Sequence, residues 1–168
     1  MKSILITTII LFSLVTFAKA LELPEDWRIP NSTDIYHPEN DRSNNKYQYL
    51  KVLADFNGDK ITDTAYLLIN DKTDKMGLFV NLSKSKSYVL LKLDESEKRY
   101  INNMGIAIVE PGKYKTACGK GYWKCADGEP AELDLKLPAI NFFTFESGNS
   151  FWYLDKTLQS FKEVAISD

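Results

Sequence analysis

The fold of this chain is limited most by the shortness of its apolar runs, each closed by turn-forming residues. Residues 47–54, 64–70, 77–82 and 87–93 form one series. The turn signals between them are an acidic loop, Asn70-Asp71-Lys72 and Ser83-Lys84-Ser85. Gly105–Val109 is a further apolar run, closed by Pro111-Gly112. Glu132–Leu137 alternates, with Leu133, Leu135 and Leu137 on one face and Glu132, Asp134 and Lys136 on the other. That period of two marks a half-buried strand. Residues 140–146 and 150–155 flank Ser147-Gly148-Asn149, a hairpin signal, and Phe161–Ile166 makes a last strand. The charged stretch Asp94–Arg99 reads as a solvated loop, with a helical turn as the alternative. No segment carries a helical period with caps, and the predicted fold is mainly β. It is antiparallel, a meander or small sandwich, in a single domain over residues 47–168 with one short disulfide loop.

Residues 1–20 have the features of a signal peptide: Lys2, an apolar run from Ile4 to Phe17, and Ala18-Lys19-Ala20 as the cleavage signal, with cleavage expected after Ala20. No cysteine stands at that junction, which argues against a lipid anchor. The expected location is therefore secreted or periplasmic, with no membrane span in the mature chain. Cleavage removes Lys2 and Lys19 and no acid, leaving 19 basic against 23 acidic side chains (21 less 2, and 23), a net −4. An acidic balance of that size argues against nucleic acid as a partner. Residues 21–46 are rich in Pro, Asn, Asp and Ser and read as an irregular lead-in that Trp27 can pin to the domain.

Cys118 and Cys125 are the 2 cysteines of the chain. In an exported protein an even, closely spaced pair reads as a disulfide, and the intervening Gly119 and Gly121 let the backbone turn tightly. From Lys113 to Lys124 there is no acidic residue, while Lys113, Lys115, Lys120 and Lys124 are interleaved with Tyr114, Tyr122 and Trp123. A closed loop presenting aromatic side chains has little conformational entropy left to lose on binding. Lys120, Tyr122, Trp123 and Lys124 are therefore candidate contacts for an exported protein partner. The competing arrangement folds Trp123 back onto the core and leaves the lysines in water.

Asp55-Phe56-Asn57-Gly58-Asp59-Lys60-Ile61-Thr62-Asp63 is the most explicit chemical motif. Oxygen-bearing side chains at its first, third, fifth and ninth positions suit a tight loop around calcium, a hard cation that takes six to eight oxygens. Asp55, Asn57, Asp59 and Asp63 supply side-chain donors, and the Ile61 carbonyl is a fifth. Three carboxylates this close repel one another unless a cation joins them. A reading without metal makes Asn57-Gly58 a two-residue hairpin, pairing Phe56 with Asp59 and Asp55 with Lys60. That register sets Asp63 beside Val52. An EF-hand fits less well, because its twelfth position requires a bidentate Glu and this chain has Tyr66.

The loop resembles that of FG-GAP and related VCBS-type repeats, through Asp55, Asn57, Gly58, Asp59 and Asp63 followed by the strand Ala65–Ile69. The resemblance spans residues 47–93 as one blade-like unit and implies a structural calcium in an extracellular recognition protein. Lys60 stands where those repeats carry glycine, so it must adopt a backbone angle that glycine favours. A single copy does not make a propeller.

A catalytic set is not evident. The 1 histidine, His37, sits beside Pro38 in the lead-in. No serine has a nucleophile-elbow context, and no spacing singles out a pair of carboxylates. Asn31-Ser32-Thr33 and Asn81-Leu82-Ser83 match glycosylation sequons, which matter only in a eukaryotic host. The expected function is that of a non-enzymatic binding module with a structural calcium loop, of the enzyme-inhibitor or immunity type. The alternatives are an envelope hydrolase that uses carboxylates and a purely structural envelope protein.

Overall fold

The computed structural model describes residues 22–35 and 48–167. Residues 1–20, read above as an expected signal peptide, and His37 lie outside the described residues. The strands are β1 (Trp27–Arg28), β2 (Lys51–Ala54), β3 (Asp63–Asn70), β4 (Lys75–Leu82), β5 (Ser87–Glu97), β6 (Met104–Val109), β7 (Gly112–Lys115), β8 (Glu132–Leu135), β9 (Ala139–Thr144), β10 (Asn149–Asp155) and β11 (Ser160–Ser167). They are antiparallel and form two packed sheets with a two-stranded ribbon outside. The protein is mainly β, as its short punctuated runs predict. Among the described residues no helix is long and apolar enough to cross a membrane.

In the first sheet β3 pairs with β4 and β4 with β5, while β1 and β2 share the other edge of β3. The second sheet runs β11-β10-β9-β6. Their inner faces meet in one core. Ala65, Leu67, Ile69, Met76, Leu78 and Val80 come from the first sheet; Ile106, Ile140, Phe142 and Trp152 come from the second. These residues alternate along their strands, so period two delivers every second side chain to the core.

β3 is buried along its whole length because its outer face is covered as well. Tyr66 and Leu68 lie there with Phe79 of β4, and the lead-in brings Leu23 and Trp27 onto them. Trp27 meets Phe79 edge-to-face at 4.7 Å. Gly77 makes room for it, since a Cβ at that position would stand 2.9 Å from the indole.

The chain also fastens the two sheets at a corner. The Leu50 carbonyl accepts from the Leu67 amide of β3 at 2.9 Å, and the neighbouring Tyr49 carbonyl accepts from the Ile106 amide of β6 at 2.8 Å. Tyr49 makes that change of direction with a left-handed backbone, φ 66°. At the opposite edge Lys92 of β5 reaches Glu163 of β11 at 2.9 Å.

Two details differ from the sequence expectation. The Asp94–Arg99 stretch is not a loop: β5 continues to Glu97 by pairing with Lys75 and Met76, and a 3-10 turn covers Lys98–Asn103. Charge alone does not end a strand at a sheet edge, where one side of the ladder faces water. The second is β7, which follows directly on Pro111 and pairs with β8.

Candidate functional site

The acidic motif is the connection between β2 and β3. Ala54 pairs with Asp63, Leu53 with Thr64 and Val52 with Ala65. This overturns the two-residue hairpin at Asn57-Gly58, since the connection is the whole stretch from Asp55 to Thr62 and Asp63 faces Ala54 rather than Val52. Within that connection the Phe56 ring is fully buried in the core.

Backbone amides turn inward onto the acidic side chains. Asp55 accepts from Gly58 at 2.6 Å, Asp59 at 3.1 Å and Lys60 at 2.8 Å. Asn57 Oδ1 accepts from Asp59, and Asp59 Oδ1 accepts from Ile61. Gly58 and Lys60 are both left-handed, at φ 80° and 68°. Lys60 thus adopts a left-handed backbone of the kind that glycine favours, with its side chain in solvent. Asp63 is fully buried; its two oxygens accept from the Phe56 amide at 3.2 Å and the Ser83 amide at 2.9 Å. Burial pushes its carboxyl above the ordinary carboxylate value, and the nearby charges of Asp59 and Asp55 push the same way.

The donor chemistry is all oxygen and suits a hard cation. The loop's convergence is another matter. Among the described residues no group of three or more His, Cys, Asp or Glu side chains is drawn together to hold a metal ion, and Asp55 and Asp59 each turn an oxygen to backbone amides instead.

Cys118 and Cys125 are joined in a disulfide, with Cα atoms 4.9 Å apart. The staple closes a loop that begins with a 3-10 turn at Cys118–Lys120 and reverses at Gly121, φ 88°. Gly119 is required there: a Cβ would stand 1.8 Å from the Ala131 carbonyl oxygen, a backbone atom that has no rotamer to yield. The loop is seated on β11, where the Ala117 amide donates to Ala165 at 2.9 Å and Lys120 Nζ donates to the Ile166 carbonyl at 2.7 Å. Lys120 is therefore part of the loop's seat.

Tyr122 and Trp123 project from it, 56% and 40% exposed, with Lys124 beside them in solvent. Trp123 does not fold onto the core. Its Nε1 donates to both Glu129 oxygens, at 3.1 and 3.3 Å, and Glu129 also accepts from the Ala126 amide at 2.9 Å. The run of like charge from Lys113 to Lys124 is tempered in space by acids the local sequence omits: Glu129 lies under Trp123, and Glu132 lies 3.6 Å from Lys113.

A further cleft is lined by two carboxylates, Asp134 and Asp155. It encloses about 310 Å³ between Asp134–Pro138 and Tyr153–Lys156. Hydrogen bonds from Lys136 and Lys162 hold Asp134 and Asp155 respectively below the ordinary carboxylate range. Glycoside hydrolysis by a carboxylate pair requires the opposite for one member, an acid kept protonated.

Comparison with known proteins gives no match to a family model, a curated protein or a solved structure.

Proposed function

We propose that this protein is an exported binding module that engages a protein partner through the stapled Tyr122-Trp123 ridge, in the manner of an inhibitor or immunity protein. The observation that carries it is the ridge itself: two exposed aromatic side chains on a disulfide-closed loop, one of them fixed by Glu129. Aromatic anchors held in place before contact are what binding hot spots are made of. Lys124 adds a cation at the tip, which favours an acidic partner surface. A closed disulfide suits an oxidising, extracytoplasmic compartment. Calcium at Asp55, Asn57, Asp59, the Ile61 carbonyl and Asp63 would have a structural task, relieving the repulsion around buried Asp63 and locking the β2–β3 connection. The feature in its favour is the spacing of oxygen donors around a fully buried carboxylate, Asp63, on a loop that also carries Asp55 and Asp59.

The test begins with affinity capture from the native extracytoplasmic fraction, followed by purification of the recovered protein and calorimetric titration against wild type and Trp123→Ala. The expected result is a stoichiometric complex weakened about thirtyfold or more by the substitution, the size of a hot-spot loss. A wild-type protein that captures nothing, or a Trp123→Ala variant that binds equally well, overturns the proposal.

A further inference from the structure

The outer face of the second sheet is divided in two. The β7–β8 ribbon covers one half, burying Val109, Leu133, Leu135, Ala139 and Phe151 with Val164 and Ile166. The other half carries three aromatic rings, from Tyr49, Phe143 and Phe145. Each ring meets the other two edge-to-face, with centroids 5.4, 5.7 and 5.2 Å apart. All three side chains are only half-buried, and they line an open cleft of about 370 Å³. That volume is within the ~300–1,000 Å³ common to small-molecule sites.

The rings lie against the sheet because Gly105 has no side chain. A Cβ there would stand 2.5 Å from Phe143 Cζ and 2.9 Å from Tyr49 Cβ. The cleft is also held in shape by the backbone. The Phe145 amide donates to the Asn103 carbonyl at 2.8 Å, and the Thr144 amide donates to the Gly148 carbonyl at 3.1 Å. Two residues of its lining, Tyr49 and Glu146, carry left-handed backbones at φ 66° and 58°. Strain of this kind persists where the surrounding structure imposes it, often at ligand sites.

The polar lining narrows the ligand class. Asn149 Nδ2 donates to Asn141 Oδ1 at 2.7 Å, and Asn149 Oδ1 accepts from Ser167 at 2.6 Å. Each amide is thereby oriented, and the Asn141 NH₂ group keeps its donors without a partner among the described residues. Thr144 and Ser147 add hydroxyls and Glu146 a carboxylate, and among the described residues no lysine or arginine lines the cleft. Aromatic faces beside oriented amides and hydroxyls, without a cation, do not select a phosphate or another anion. They match a molecule with an apolar C–H face and a rim of hydroxyls.

We propose that the Tyr49–Phe143–Phe145 cleft binds a neutral saccharide, with the C–H face of a sugar ring against the aromatic rings and its hydroxyls on Asn141, Asn149 and Glu146. This site is separate from the stapled loop and stands or falls without it. The experiment titrates the 15N-labelled full chain with cellohexaose and chitohexaose, following side-chain amide signals by NMR. The Asn141 and Asn149 NH₂ resonances should shift saturably. Phe145→Leu, which keeps apolar bulk and loses the ring face, should weaken the affinity by up to about tenfold, the range of an aromatic contact. Gly105→Ala should displace the Phe143 ring and abolish the shifts, with the remaining spectrum reporting that the fold is intact. No shift at millimolar saccharide overturns the proposal, and so do shifts that Phe145→Leu leaves unchanged.

Discussion

Asp63 is where residue chemistry has most leverage on this fold. Its carboxylate satisfies two backbone amides on opposite sides, Phe56 in the loop and Ser83 after β4, and both bonds need an acceptor oxygen. An asparagine offers one acceptor and one donor, so Asp63→Asn leaves an amide facing an NH₂ group. The expected cost is about 1–3 kcal/mol, the penalty of an unsatisfied buried donor, read by urea unfolding. The ionisation of Asp63 works against stability. Its folded pKa is raised, so its contribution is fully present below the unfolded carboxylate value of about 3.9 and is lost as pH rises through the folded value. In calcium-free protein the Asp63 carboxyl signal should therefore titrate above the ordinary value by NMR, and a bound cation should draw it downward.

At the scale of elements, two loops are held by different means. The acidic connection is shaped by Phe56 in the core and by amides folded onto Asp55, Asn57 and Asp59. Calcium at about 100 times its dissociation constant should add about 2.7 kcal/mol by mass action, seen as a rise in melting temperature. Asp59→Asn should reduce that rise, and a wild-type melt that ignores calcium removes the metal from the account. The second loop is held covalently. Replacing both Cys118 and Cys125 by serine should lower stability by about 2–3 kcal/mol, the chain-entropy value for a ring this small, measured by denaturant unfolding. The strand periods were legible from sequence because Leu133 and Leu135 alternate with charged neighbours, and both are buried between the ribbon and the second sheet. The β2–β3 connection was not, because Asn57-Gly58 is locally a good turn and the β2–β3 register rules it out.

On the scale of the whole molecule, the lead-in is a working part of the sandwich. Arg28 forks onto Asp34, at 2.6 and 2.9 Å, and reaches Asp71 after β3 at 2.8 Å, while Asn102 donates to the Asp34 carbonyl at 3.1 Å. The hydrogen bonds from Arg28 hold the Asp34 carboxyl below the ordinary carboxylate range. Its contribution is therefore present above the unfolded value of about 3.9 and lost as pH falls through the lowered folded value. Asp34→Asn should flatten the acid limb of a stability–pH profile measured by denaturant unfolding, opposite in sign to the effect of Asp63. The sequence alone determined what short-range chemistry controls: antiparallel strands from period-two runs and turn residues, and the disulfide from a close pair of cysteines. Tertiary structure decided which groups meet across long separations. It set Glu129 against the Trp123 N–H, tied Lys120 to Ile166, and gathered Tyr49 and Phe143 over Gly105 with Phe145 against both. Those choices depend on how two sheets and a ribbon stack, and residues far apart in the chain carry no local period that records it.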